Sequence, residues 1–256
     1  MTETSEVLTE RRDQVLVITI NRPEQRNAVN AAVAEGIGRG LDELDGDRAL
    51  SVGVLTGAGK GFSAGMDLKA FVAGESPHVE GRGFGGITQR ASAKPLIAAV
   101  EGFAVAGGLE LALSCDLIVA ARGARLGIPE VKRSLVAAAG ALLRLPRALP
   151  RPIAMELALT GDPITAERAY ELGLVNRLTE PGETVQAALD LAGAIAINGP
   201  LALAASKRIL VESVDWPESD FFARQGEIAS PVMASDDARE GATAFAEKRD
   251  PVWKGR

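Results

Sequence analysis

The sequence predicts an α/β fold. Stretches rich in β-branched residues alternate with stretches of helical spacing through the first half, the second half is helical in pattern, and 256 residues are enough to bury a sizeable core. Val7 to Arg11 and Val15 to Ile20 read as paired strands, followed by a polar turn, "NRPEQRNAVN". From Asn30 to about Leu44 the apolar positions recur at helical spacing, despite three glycines that weaken a helix intrinsically. "SVGVLTG" is a short buried strand that runs into the loop "AGKGFSAGMDLKAF". Residues 73 to 86, "AGESPHVEGRGFGG", combine glycine, proline and charge and read as a flexible surface loop, a candidate lid. "KPLIAAVEG" returns to strand, "AGGLELAL" to helix and "CDLIVAA" to strand. Beyond Gly140 helical spacing covers "GALLRLPRAL", "PIAMELALTG", "TAERAYELG", "ETVQAALDLAGAIA", "PLALAASKRILVES" and "SDDAREGATAFAEKR".

Composition narrows the chemistry. Hydrophobic content of 46% and charged content of 24% are those of an ordinary folded protein, and a net charge of -6 argues against general nucleic-acid binding. Apolar stretches such as Ala104 to Leu113 are interrupted too early to span a bilayer, so no membrane insertion is expected. The polar, acidic start "MTETSEVLTERRDQ" lacks the pattern of a secretory signal, which favours the cytoplasm. A single cysteine, Cys115, leaves no internal disulfide and reads as a buried thiol. The single histidine, His78, falls in the glycine-rich loop and reads as a solvated loop residue. Neither a multi-histidine metal site nor a Ser-His-Asp triad is expected, and acid–base chemistry falls to carboxylates.

Glu110 interrupts the apolar run Leu109 to Leu113 directly after Gly107-Gly108. In a helix its neighbours would desolvate it and lift its pKa toward a range useful for proton transfer. Glycines at the helix start let a ligand approach the backbone, and free N–H groups there oppose developing negative charge. Glu130 follows Pro129, which biases Ile128 toward an extended conformation and sets Glu130 at the end of a short strand or turn. On spacing alone, either glutamate also reads as a solvated or capping side chain. In "GFSAGMDLK", Asp67 is placed to cap the following helix, and the Met66 N–H is a second candidate oxyanion donor.

Together, "NRPEQRNAVN", "TGAGKGFSAGMDLKA", "GFAVAGGLELALSCDLIVAA", "ARLGIPE", "LTGDPITAERAYELGLVNRL" and "EGATAFAEKRDPVWKGR" resemble the enoyl-CoA hydratase/isomerase, or crotonase, superfamily over nearly the whole chain. Within it, "FSAGMDLKA" and "AFAEKRDPVWKGR" are similar to the carnitinyl-CoA dehydratases. The resemblance implies a spiral of ββα turns over residues 1–196 holding the CoA and active sites, then a helical trimerisation region over 197–256. It implies an oxyanion hole from the N–H groups of Met66 and Gly107, with Glu110 and Glu130 as the catalytic pair that handles water and the α-carbon proton. It places Arg26, Ala28, Ala64, Asp67, Leu68 and Lys69 in contact with coenzyme A, and Phe245 and Lys248 in the tail, within reach of CoA on a neighbouring subunit. The expected partner is an acyl-CoA thioester, with no further cofactor and no metal, in a homotrimer or a dimer of trimers. One departure is visible: hydratases usually carry a Pro-Gly-rich loop after the second glutamate, and here Ala138 stands where a glycine usually helps to place water. Hydration of a 2-enoyl-CoA is the expected reaction. A carnitinyl-CoA dehydratase-like activity, an isomerase and a silent acyl-CoA binder remain as alternatives, and retention of both glutamates favours the hydratase over the isomerase.

Overall fold

A computed structural model describes residues 5–90 and 92–256. Strands β1 (Val7–Arg12) and β2 (Val15–Ile20) pair antiparallel, as the sequence predicts. Helix α1 (Ala31–Gly46) begins where Asn30 accepts a hydrogen bond from the Val33 N–H at 3.0 Å, a side-chain N-cap. The α1 glycines have a packing role: a Cβ on Gly40 would meet Ile18 at 2.9 Å, so glycine lets the helix lie close on the strand. Next come β3 (Val52–Gly57), α2 (Leu68–Val72), β4 (His78–Val79), β5 (Gly83–Phe84), β6 (Leu96–Val100) and β7 (Phe103–Val105). They are followed by α3 (Gly107–Ala112), β8 (Leu117–Ala121), β9 (Arg125–Gly127), α4 (Ala141–Ala148) and α5 (Arg151–Thr160). The chain ends with β10 (Ile164–Thr165), α6 (Ala166–Glu171), β11 (Arg177–Thr179), α7 (Thr184–Ala196), α8 (Pro200–Glu212), α9 (Phe221–Met233) and α10 (Asp236–Glu247).

The main sheet has the order β1-β2-β3-β6-β8-β11, parallel from β2 onward. Its central strands are apolar on both faces because both faces are covered. Leu16, Ile18, Leu55, Ala98 and Ile118 pack in one layer with Val33, Ile37 and Leu41 of α1. Val17, Val54, Ile97 and Val119 pack in the other with Ala188 and Ala192 of α7. The small residues of α7 bring that helix close to the strands. A second, three-stranded sheet, β10-β9-β7, stands where the chain leaves the main sheet toward the carboxylates.

One expectation is corrected in part. Residues 73 to 81 lie largely at the surface, as expected, but from Arg82 onward the segment is core. Phe84 is 4% exposed and Ile87 fully buried, while Arg82 lays its stem along α1 and pairs with Asp42. The glycines at 83, 85 and 86 take positive φ and make tight turns that fit the hairpin of β4 and β5 against α1. His78 is accordingly not a free loop residue. It is exposed, but it sits on β4 with its ring edge-on to Phe84, the centroids 5.8 Å apart.

The C-terminal helices are anchored by polar contacts. Lys207 of α8, its side chain 11% exposed, donates to Asp116 at 2.7 Å and to the Lys94 carbonyl at 2.8 Å. The buried Asp237 carboxylate accepts from the Lys254 and Gly255 N–H groups, and the Trp253 indole donates to the Ile197 carbonyl. Helix α9 was not expected from the sequence. Gly226 and Pro231 weaken its intrinsic signal, and packing on α8 supplies what propensity lacks. Among the described residues no single helix is long and apolar enough to cross a membrane. Ile87→Ala is expected to lower unfolding free energy by about 2–5 kcal/mol in urea titration, the loss for a core side chain; a change below about 0.5 kcal/mol would fit a loop instead.

Candidate active site

The loop 58–67 after β3 is held by the polar turn that precedes α1. Asn27 is buried, donates to the carbonyls of Ala58 at 2.9 Å and Gly61 at 2.7 Å, and accepts from the Arg22 N–H at 3.0 Å. The Ser63 hydroxyl donates to the Asn27 carbonyl at 2.8 Å and accepts from the Gly65 N–H at 3.1 Å. Short bridges then dock the loop on both sides, Ser63 to Ala104 and Val29 to Met66. In the second bridge the N–H groups of Val29 and Asp67 pair with the carbonyls of Gly65 and Val29, at 2.8 and 2.9 Å. Among the described residues, the Met66 N–H between them donates to no protein acceptor.

The same geometry brings the Gly107 N–H close to this loop. A Cβ built on Gly65, at φ 88°, would lie 2.7 Å from the Gly107 nitrogen and 2.9 Å from the Ala106 Cβ, so only glycine allows the approach. Ala106 holds φ 53°, ψ -133° in front of α3, a strained conformation for a residue with a side chain, and its own N–H is fixed on the Gly127 carbonyl at 2.9 Å. Gly107 begins the helix with its N–H unused among the described residues. Two free backbone donors therefore stand on neighbouring loops. Phe84 closes the back of Gly107, where a Cβ would meet its ring at 2.6 Å.

Glu110 lies in the first turn of α3, only 3% exposed. Its Oε1 accepts from the Ala139 N–H at 2.7 Å and the Ala141 N–H at 3.1 Å. Burial pushes its carboxyl above the usual range, while those amides, Arg144 and His78 oppose the shift. Glu130 lies in the single 3-10 turn Pro129–Arg133 that follows β9, with Oε2 buried and unpartnered among the described residues. Burial lifts its carboxyl as well; its own N–H opposes the shift, and the negative charge of Glu110 adds to it. The two carboxyls thus feel one another. Ala138 stands in an exposed turn between buried Ala137 and Ala141, where its methyl has room, and the amides on either side of Gly140 still reach Glu110.

The residues expected at coenzyme A gather on one rim. The Ala64 N–H donates to the Arg26 carbonyl at 3.0 Å, and Arg22 Nη1 joins the Ala28 carbonyl at 2.6 Å to Asp67 at 2.9 Å. Asp67 also caps α2 by accepting from the Lys69 and Ala70 N–H groups. Its carboxylate is thus committed to the protein. Leu68 and Lys69 follow on an exposed face with Phe71 and Val72. Phe245 and Lys248 are not brought onto this rim: α10 packs on α9, and Phe245 is 88% exposed.

A profile of the enoyl-CoA hydratase/isomerase family matches residues 10–256. The chain belongs to that family. Enoyl-CoA hydratase from Mycobacterium tuberculosis H37Rv is 61% identical, with a TM-score of 0.97 over 99% of this chain and 100% of that one. A carnitinyl-CoA hydratase structure from Mycobacterium avium is 45% identical, with a TM-score of 0.79 over 99% of this chain and 100% of that one. The carnitinyl-CoA dehydratase of Salmonella heidelberg (strain SL476) is 42% identical over 254 residues, 96% of this chain and 97% of that one. The α/β architecture is that of the crotonase fold. An acyl-CoA thioester substrate is consistent with membership of this family.

Arg22, Asn27, Ser63, His78 and Arg144 were not singled out from the sequence as parts of this site. The signal for the first three was polar residues embedded in the two motif strings that the fold brings together. For Asp67, burial works against the charged form, yet the Ala70 amide, Arg22 and the Lys69 amide outweigh it and hold the carboxyl below its usual value. Arg22→Met leaves this largely buried carboxylate without its partner. It is expected to lower stability near neutral pH by about 1–3 kcal/mol. The support is complete above the ordinary aspartate value and is lost as pH falls through the depressed one, so wild-type and variant urea curves should converge in acid.

Proposed function

We propose that the protein adds water reversibly across a 2-enoyl-CoA thioester, with Met66 and Gly107 as the oxyanion hole and Glu110 and Glu130 as the acid–base pair. The observation that carries this reading is the environment of Glu110: a buried carboxylate whose one oxygen takes two amide hydrogen bonds, and whose charge is felt by the half-buried Glu130, which has one buried oxygen without a partner among the described residues. The environments support a division of roles. Two amides and Arg144 favour the ionised form of Glu110, which suits a base, and the charge of Glu110 adds to the upward shift of Glu130, which suits an acid, while Glu130's own N–H and Arg133 oppose that shift. Glu110 takes a proton from water as its oxygen bonds to C3 of the enoyl group. The π electrons move toward the carbonyl, and the enolate charge meets the Met66 and Gly107 N–H groups, each donor contributing about 3 kcal/mol. Glu130 delivers its proton to C2, and proton exchange between the coupled carboxyls restores the starting state. Coenzyme A is carried on the substrate, and no metal step is invoked.

Identity with the carnitinyl-CoA relatives supports a second substrate for the same machinery, carnitinyl-CoA, dehydrated by the reverse reaction. The exposed apolar side chains of the C-terminal helices, Leu210 at 72%, Phe222 at 80%, Met233 at 79% and Phe245 at 88%, support assembly with further copies of the chain in a trimer or dimer of trimers. Phe245 and Lys248 would then meet coenzyme A on a neighbour.

Assay with crotonyl-CoA and carnitinyl-CoA tests the reading. Glu110→Gln and Glu130→Gln are each expected to lower kcat by roughly 10²–10⁴-fold while coenzyme A binding survives. Gly65→Ala, whose Cβ would intrude on the Gly107 nitrogen, is expected to lower kcat by roughly 10²–10³-fold. Turnover undiminished in both glutamate variants would overturn the assignment, and binding without turnover in the wild type would replace the enzyme with an acyl-CoA binder. Because burial raises Glu110, the acid limb of kcat/KM is expected above the ordinary carboxylate range: activity falls as pH drops through the raised value and the base is protonated.

A further inference from the structure

Arg144, in the first turns of α4, is half-buried, and among the described residues its two hydrogen bonds run to carbonyls and neither to a carboxylate. Nη2 donates to the Thr88 carbonyl at 2.6 Å, on the buried segment that follows the β4–β5 hairpin. Nη1 donates to the Ala139 carbonyl at 3.4 Å, and Ala139 is the residue whose N–H holds Glu110. Between the two amides that hold Glu110 lies Gly140, at φ 113°, with the guanidinium laid against it so closely that a Cβ there would overlap Nη1. One planar cation therefore ties the wall of the site to the loop that grips the buried carboxylate.

We propose that Arg144 is a positioning residue for Glu110, bracing the Ala139–Ala141 amides and setting near this buried carboxylate a positive charge that favours its ionised form. A guanidinium suits the task because its fork spans two carbonyls and it keeps its charge when partly desolvated. The groups that face Glu110 come from three directions: Arg144 from α4, Glu130 from the turn after β9, and His78 from the hairpin. Arg144 in turn lies near Arg147 and Cys115. Of these, Arg144 and His78 act to lower the Glu110 carboxyl, and Arg144 is the larger influence.

The inference rests on the hydratase reading for its catalytic consequence, but its electrostatic part is measurable without substrate. Three variants separate the components: Arg144→Met removes charge and fork, Arg144→Gln keeps an amide donor for Thr88 without charge, and Arg144→Lys keeps charge without the fork. The Glu110 carboxyl is followed by ¹³C NMR on glutamate-labelled protein, with Glu110→Gln assigning its resonance. Arg144→Met and Arg144→Gln are expected to move the Glu110 midpoint upward and carry the acid limb of kcat/KM with it, and Arg144→Lys to restore both. In the uncharged variants kcat should fall roughly tenfold with KM nearly unchanged, short of the roughly 10²–10⁴-fold that loss of an acid–base group brings. A midpoint and limb that stay at wild-type values in the uncharged variants, with only a lowered Tm, make Arg144 a structural brace and overturn the proposal. Should Arg144→Met fail to fold, the Gln and Lys variants decide by the same two readouts. A wild-type protein that hydrates no enoyl-CoA would defeat the functional reading while leaving the Glu110 midpoint to judge Arg144.

Discussion

A carboxylate buried to 3% exposure is the constraint around which the site is built. Desolvating an ionised carboxyl without compensation is among the most unfavourable things a fold does, and the usual escape is to stay protonated. Here the escape is opposed from outside the helix that carries Glu110. The Ala139 amide belongs to the loop leading into α4, the Ala141 amide to the first residue of α4, and Arg144 comes from α4 itself. The position of α4 and the ionisation of Glu110 are therefore one problem: displacing the loop removes hydrogen bonds from the anion and raises its pKa at once.

Steric limits do the corresponding work at the backbone donors. Gly65 and Gly107 approach so closely that a Cβ on Gly65 would strike the Gly107 nitrogen, and Phe84 fills the space behind Gly107. Phe84 belongs to the hairpin that packs on α1, and α1 packs on the central sheet through its own glycines. The donors are thus referred back to the two-sided core by direct contact. In the proposed reaction, such a chain of contacts would hold the dipoles in place before charge develops and leave little reorganisation for the step itself.

The strands, α1 and the helical second half were legible because period and β-branched content report burial on one or two faces. Glu110 was legible because a charge inside an apolar run is an exception that composition does not explain. The hairpin at 78–84 was misread: glycine, proline and charge in "SPHVEGRGFGG" carry the signature of a loop, and nothing local reveals that Arg82 has an acidic partner on α1 or that Phe84 has a glycine face to cover. Arg144 was invisible for the same reason. In "ALLRLPRAL" it reads as one of two solvated cations on an amphipathic helix, and only the fold distinguishes it from the exposed Arg147. Capping by Asp67 was legible from the turn, while its pairing with Arg22, distant in sequence, was not.

Both glutamates are raised by burial, yet the same direction has different consequences. For Glu110 the opposing contributions all stabilise an anion: two amides, a guanidinium and an imidazole. For Glu130 the contributions are mixed: its own N–H and Arg133 favour the anion, the negative charge of Glu110 opposes it, and one of its oxygens has no partner among the described residues. As Glu110 ionises, it makes ionisation of Glu130 harder, so the pair favours a single shared charge over two. In the proposed reaction one proton is carried across the two carboxyls, which suits the addition of water better than a double-bond shift. Addition needs a base for the water and an acid for the carbon in the same turnover, whereas a shift can be served by one group that removes a proton and returns it elsewhere. The asymmetry between the two environments, more than the presence of two acids, is what supports the proposed hydration.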